Sequence, residues 1–203
     1  MSDFNKDLSI IISLYNEEES LPELLRWIEE VMDRENFSYE VIMVDDGSTD
    51  NSWKLIKELS EKNSSIRGIS FRRNYGKSAA LFHGFKAAAG RVVVTMDADL
   101  QDPPEVALQM IEKWKEGYDV VHGKRRKRKG ETAFKKATAS LFYKFTRKIT
   151  GMELQRDSGD FKLYDRKVVE VLLSMNEHDR LLRAQTAWVG FRQTCVEFDR
   201  PER

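Results

Sequence analysis

The sequence predicts an α/β fold whose sheet is mostly parallel and covered by helices. Short apolar runs alternate with segments of helical periodicity through the first half of the chain. The runs are almost continuously apolar, as in strands buried on both faces. Each run ends in a polar cluster of the kind that turns a strand into a helix.

The elements follow in order. Leu8 to Leu14 (LSIIISL) reads as the first strand. Ser20-Leu21-Pro22-Glu23 reads as a capping box with proline in the first turn, and Leu24, Leu25, Ile28, Val31 and Met32 then recur at helical spacing. Tyr39 to Val44 is the second strand, and a helix with Leu55, Ile56 and Leu59 on one face follows, with Asp50 as its expected N-cap. Ile66 to Phe71 is the third strand, Gly76 to Ala89 an Ala-rich helix, and Val92 to Met96 the fourth strand. Asp102-Pro103-Pro104-Glu105 starts another helix, with Asp102 as its expected N-cap, and Asp119 to His122 is the fifth strand. Beyond it the pattern is less regular: a helix over Thr132 to Thr150, a strand over Phe161 to Tyr164, a helix over Asp165 to Met175 and a strand over Gln193 to Phe198.

Composition narrows the function. The 203 residues fit one domain, and 40% hydrophobic residues suffice for a substantial core. Lys+Arg and Asp+Glu balance at 34 each, so no global field points to nucleic acid. A single cysteine, Cys195, precludes an intrachain disulfide and suggests a reducing compartment. Met1 to Asp7 lacks the apolar core of a signal peptide, and no stretch approaches the ~20 apolar residues of a membrane span. The chain is expected to be soluble or peripheral.

Ligands in such sheets bind beyond the carboxyl ends of the strands. Four polar clusters lie there: Tyr15-Asn16-Glu17, Asp45-Asp46, Arg72-Arg73-Asn74 and Asp97-Ala98-Asp99. Two carboxylates at Asp97 and Asp99 repel and are costly to bury unpaired. Mg²⁺ or Mn²⁺ would resolve this, binding few carboxylates together with substrate phosphates; a capped turn is the plainer alternative. A carboxylate at Asp45 or Asp46 can accept hydrogen bonds from a base or from ribose hydroxyls, or can simply belong to a βα turn. Gly76-Lys77-Ser78 suggests a phosphate loop, but position 71 is Phe where that motif needs Gly. No G-x-G-x-x-G follows any strand, which argues against a dinucleotide enzyme.

Several segments together resemble family 2 glycosyltransferases: Ser13-Leu14-Tyr15-Asn16-Glu17-Glu18, Val44-Asp45-Asp46-Gly47-Ser48, Arg73-Asn74-Tyr75-Gly76-Lys77 and Met96-Asp97-Ala98-Asp99-Leu100-Gln101-Asp102-Pro103-Pro104-Glu105. The last block is most similar to the dolichyl- and undecaprenyl-phosphate sugar synthases. So are Gly159 to Val168, Ala187 to Phe191 and Phe198 to Arg203. The family usually has proline where this chain has Ser13, and bacterial members of the subgroup continue past this endpoint into two membrane helices.

The resemblance implies a single GT-A (Rossmann-like) catalytic domain over residues 1–203, with a nucleotide-sugar-binding half, 1–123, and an acceptor-binding half, 124–203. The expected reaction is inverting transfer from a UDP- or GDP-sugar to a polyprenyl phosphate at the cytoplasmic face of a membrane. Asp97 and Asp99 would hold nucleotide and metal (Mg²⁺ or Mn²⁺), with Gln101 completing that site. Tyr15, Asn16, Glu17, Asp45, Asp46 and Lys77 are the expected nucleotide contacts. Asp160 is the candidate carboxylate facing the acceptor, with Asp157 second. Arg125 is the candidate ligand of the acceptor phosphate, ahead of Lys135, Arg180, Arg200 and Arg203. The subgroup often self-associates, so a homo-oligomer is consistent with it.

The remaining features have plainer readings. The cationic run Lys124 to Lys129 is a solvated loop or an anionic-membrane patch; it lacks the interleaved aromatics of a nucleic-acid surface. The stripe Phe134, Ala137, Leu141, Phe142, Phe145 and Ile149 fits a helix packed on the domain or lying at a membrane interface. His83 and His122 read as structural or as supports of site residues, and no histidine pair has metal spacing. Trp27, Trp53 and Trp114 read as core, and Trp188 as a support behind the site. Two other functions stay open: transfer to a sugar hydroxyl, which would need a carboxylate base, and a basic binding module without catalysis.

Overall fold

Apolar runs buried on both faces place three strands side by side, and the rest of the sheet is added to that block. The computed structural model describes residues 6–35, 37–126, 158–175 and 181–200. In chain order the elements are β1 (Lys6–Leu14), α1 (Leu21–Met32), β2 (Tyr39–Asp45), α2 (Ser52–Lys62), β3 (Ile66–Ser70), α3 (Lys77–Ala87), β4 (Gly90–Asp97), α4 (Pro104–Lys115) and β5 (Val120–Arg125). They continue with β6 (Ser158–Asp165), α5 (Arg166–Ser174), α6 (Leu182–Trp188) and β7 (Gln193–Phe198). The expected helix over Thr132 to Thr150, the end of the cationic run, Asp157, Lys135, Arg180 and Arg203 lie outside the described residues.

The seven strands form one sheet in the order β3-β2-β1-β4-β6-β5-β7. β6 alone runs against its neighbours: it pairs antiparallel with both β4 and β5, while β7 pairs parallel with β5. The mostly parallel sheet therefore stands. The reversal of β6 brings its N-terminal end, with Asp160, to the edge where β4 ends.

Strand alternation sorts the core onto two faces. Leu8, Ile10 and Ile12 of β1 pack with the buried stripe Leu24, Leu25, Ile28, Val31 and Met32 of α1 and with Val106, Ala107, Met110 and Ile111 of α4. Ile11 packs on the opposite face with Ala80, Leu81 and Phe85 of α3 and Val168, Val169 and Leu172 of α5. Each such aliphatic side chain, fully buried, contributes about 1.5–3 kcal/mol. Gly84 permits the close approach of α3 to β1: a Cβ there would lie 2.4 Å from Ile11 Cγ2.

Two expected caps are built differently. Ser20 already has helical dihedrals (φ −84°, ψ −28°), and its hydroxyl donates to the Glu17 carbonyl and carboxylate, so the capping box does not form. Pro103, not Asp102, takes the N-cap position of α4, and the Asp102 carboxylate turns back to accept from the amide of Asp97 at 3.0 Å. Asp50 comes closer to expectation. It precedes the N-cap Asn51 and accepts from the amides of Ser52 and Glu18, at 3.0 and 3.2 Å. Trp27, Trp53 and Trp114 are partly buried against the core, whereas Trp188, expected behind the site, is 66% exposed.

Candidate active site at the carboxyl edge of the sheet

The loops after β1 and β2 are tied to each other. Asn16 adopts φ 55°, a conformation Asn tolerates better than most residues, and its Oδ1 accepts from the amide of Thr49 at 2.8 Å. Asp45 is buried and accepts from the Ser48 amide and the Ser70 hydroxyl, each at 3.0 Å. Asp46 accepts from the amides of Tyr75 and Gly76, at 2.7 and 2.8 Å, which fixes the loop leading into α3. Gly47 is required beside it. Its φ is 76°, and a Cβ would lie 2.5 Å from the Arg73 carbonyl carbon.

Lys77, the first residue of α3, sits between two carboxylates. Its ammonium donates to Asp97 Oδ1 and lies 3.0 Å from Asp160 Oδ2. Burial would lower its pKa, but Asp97 and then Asp160 outweigh that and raise it. Past β4 the chain bends through Leu100 (φ 61°), and Asp99 Oδ1 accepts from the Gln101 amide at 3.2 Å. Asp99 Oδ2 accepts from Arg200 at 3.1 Å, just past the end of β7. Asp160, on β6, is gripped at both oxygens by Arg183 of α6, at 3.0 and 3.3 Å. Burial pushes the Asp160 carboxyl up, but Arg183 and Lys77 together pull it down to about 2.

Asp102 is the odd carboxylate. It is 1% exposed, its Oδ1 has no hydrogen-bond partner among the described residues, and Arg125 approaches only to 3.8 Å. Burial, reinforced by the charge of Asp97, raises its carboxyl to about 7. The folded chain therefore binds a proton here that the unfolded chain, at 3.8, has lost. Stability should fall as pH rises from about 4 to about 7. Asp102→Asn keeps an acceptor for the Asp97 amide without the buried charge. In EDTA it should melt higher than the unaltered chain at pH 8, with the difference vanishing near pH 4. A lower melting point at pH 8 would mean that the Arg125 contact outweighs burial.

These loops enclose a cavity of about 400 Å³ lined by Tyr15, Glu17, Asp46, Lys77, Asp97 and Asp99, among others. Asn16, Glu17 and Asp99 also line an adjoining cavity of about 480 Å³. Asp45, Gln101, Arg125 and Asp160 line neither. Among the described residues, no group of three or more His, Cys, Asp or Glu side chains is arranged to hold a metal ion by itself. Asp97, Asp99 and Gln101 offer two carboxylates and an amide. Of these, Asp97 and Asp99 line the cavity and are the oxygen donors that Mg²⁺ or Mn²⁺ takes together with phosphate and water, whereas Gln101 stands outside it. Both carboxylates already draw cations of the chain, Lys77 and Arg200.

Several side chains here escaped the sequence reading. Arg183 and the contact of Arg200 with Asp99 gave no signal. Lys162 shares strand parity with Asp160, but nothing marked it as buried; it is 2% exposed, and burial lowers its ammonium to about 8. His122 lies inside the fold, away from both cavities. It is buried, bonded to Gln193 at 2.8 Å, and lowered to about 4 by burial and then by Lys162.

The glycosyl transferase family 2 profile matches residues 9–173. A glycosyltransferase of Bacillus subtilis is 46% identical over 195 residues, spanning 96% of this chain and 60% of that protein. The prophage bactoprenol glucosyl transferase homolog of Escherichia coli is 36% identical over 196 residues, spanning 97% and 64%. The chain thus spans less than two thirds of the length of these curated relatives. Among solved structures, glucosyl-3-phosphoglycerate synthase from Mycobacterium tuberculosis, in complex with Mn²⁺, UDP and phosphoglyceric acid, superposes with a TM-score of 0.64 at 22% identity, covering 98% of this chain and 71% of that one. TarS of S. aureus (1–349) gives 0.64 at 18% identity, covering 96% and 59%. These likenesses establish the GT-A fold.

Proposed function

Since the chain belongs to glycosyl transferase family 2, we propose that it moves a sugar, with inversion, from a nucleoside diphosphate sugar to a polyprenyl phosphate at the cytoplasmic face of a membrane. The observation that carries this reading is the convergence of Glu17, Asp46, Lys77, Asp97 and Asp99, from four successive strand ends, on one cavity. The relatives named bactoprenol glucosyl transferase support the acceptor.

In this reading Tyr15, Glu17, Asp46 and Lys77 line the nucleoside and phosphate pocket. Asp97, Asp99 and Gln101 hold Mg²⁺ or Mn²⁺, which when bound neutralises charge on the diphosphate leaving group. Lys77 and Arg200, now on those carboxylates, stand where a diphosphate would need cations.

The state of Asp160 favours a phosphate acceptor over a hydroxyl. A carboxylate pulled to about 2 is a weak base. A phosphate monoester, with a second pKa of about 6, arrives already ionised and requires positioning rather than deprotonation. Arg125, beside Gly159 at the end of β5, remains the proposed ligand for that phosphate.

The test is a melting-temperature screen with UDP- and GDP-sugars, in Mn²⁺, Mg²⁺ or EDTA. Ligand at 100 times its Kd stabilises by about 2.7 kcal/mol. A metal-dependent rise with one nucleotide is the expected result. No rise with either nucleotide in any metal would overturn the donor site.

A further inference from the structure

The carboxylate Asp160 belongs to a chain of charges that runs from β4 to the neighbouring strand β6 and on to α6. Asp97 is held by Lys77, Lys77 by Asp160, and Asp160 by the guanidinium of Arg183. Arg183 stands on α6, and α6 is itself fastened from below. Gln193 of β7 donates to the Thr186 carbonyl at 2.8 Å and is joined on its other side to His122 of β5. Leu182, Gln185 and Thr186 are buried beneath the helix. Thr95 of β4 donates to the Asp160 carbonyl, which holds the backbone of that residue as well.

Three cations face Asp160: Lys77 from α3, Arg183 from α6 and Lys162 two residues along the same face of β6. The first two reach it, at 3.0 Å each; no ion pair among the described residues includes Lys162. A planar guanidinium that meets both oxygens fixes the carboxylate plane in a way that a point charge does not. With that plane set, one Asp160 oxygen is aimed at Lys77 and holds its ammonium beside Asp97.

We propose that Arg183 is a positioning residue for sugar transfer: by fixing Asp160 it keeps Lys77 poised between the donor carboxylate Asp97 and the acceptor half of the site. Arg183 acts through Asp160, not on substrate. The assignment rests on the function proposed above for the cavity. It predicts that donor affinity falls less than kcat when Arg183 is replaced, because Asp46 and the loops after β1 and β2 are fixed by their own hydrogen bonds.

The experiment compares Arg183→Gln and Arg183→Lys with the unaltered protein. It measures donor affinity, kcat and KM across pH, and titration of the Asp160 carboxyl by NMR. Arg183→Gln should lower kcat by about 10- to 100-fold, the scale on which small misplacements act, while the donor Kd rises by a smaller factor than kcat falls. The Asp160 carboxyl should titrate at higher pH in that variant, and the acid limb of the kcat profile should move up with it. Arg183→Lys should recover part of the rate. An unchanged kcat and acid limb would overturn the proposal. So would equal losses in both variants with a lower melting point and no shift of the limb, since that pattern is merely structural. If the unaltered protein glycosylates a hydroxyl and no lipid phosphate, the function proposed above fails. The same comparison with the hydroxyl acceptor then still decides the role of Arg183.

Discussion

Asp99→Ala should abolish metal-dependent transfer, lowering kcat/KM by at least about 100-fold, or about 2.7 kcal/mol of transition-state stabilisation. Asp99 lies at the bend after β4, where Leu100 takes a positive φ and the Gln101 amide ties the carboxylate to its own loop. Removing it takes one of two carboxylates from a set that has no third acidic ligand among the described residues. The remaining charge of Asp97 is shared with Lys77, so affinity for a divalent cation should fall steeply. Asp99→Asn separates charge from shape. It can still accept from the Gln101 amide but loses the charge pair with Arg200, so it should melt slightly below the unaltered protein and yet lose transfer. A near-normal rate for Asp99→Asn in Mn²⁺ would remove Asp99 from the metal site.

Lys77→Met should be nearly as damaging, by about 100-fold in kcat/KM, because a single cation serves Asp97 and Asp160 together. This variant also carries a signature in stability. Asp160 is depressed to about 2 in the folded chain. Its contribution is present above the ordinary carboxylate range and is lost as pH falls from about 4 to about 2. Lys77 is raised in the folded chain. Its contribution is full below its unfolded value of 10.5 and is lost as pH rises through the higher folded value. The deficit in melting temperature should therefore be flat between about pH 5 and pH 9 and shrink toward pH 2. A deficit independent of pH down to 2 would mean lost packing by the lysine stem, not lost pairing.

The parallel block of the sheet was legible because β1, β2 and β4 are runs such as Ile10-Ile11-Ile12 that no surface strand would carry. The strand-end clusters were legible for the same reason: once those runs are strands, Glu17, Asp46, Asp97 and Asp99 must share an edge. What failed was of two kinds. Local signals were outcompeted, as at Ser20, whose hydroxyl finds Glu17, and at Asp102, whose carboxylate finds the Asp97 amide. The other losses are tertiary. Helix α6 turns Gln185 and Thr186 inward and leaves Leu181 and Trp188 exposed, so its hydrophobic pattern does not announce a packed helix. Arg183 of α6 meets Asp160 of the reversed strand β6 across 23 residues of chain, and nothing local to either residue encodes that meeting.

The most direct test of the account is the product itself. The protein is incubated with labelled UDP-sugar or GDP-sugar, polyprenyl phosphate and Mn²⁺, and the label is followed into the organic phase, with EDTA and a hydroxyl acceptor as parallel arms. Transfer to polyprenyl phosphate gives a lipid-linked sugar of inverted anomeric configuration that forms with metal and disappears with EDTA. Label transferred to the hydroxyl acceptor and none to the lipid, or a lipid product that forms equally in EDTA, would contradict it.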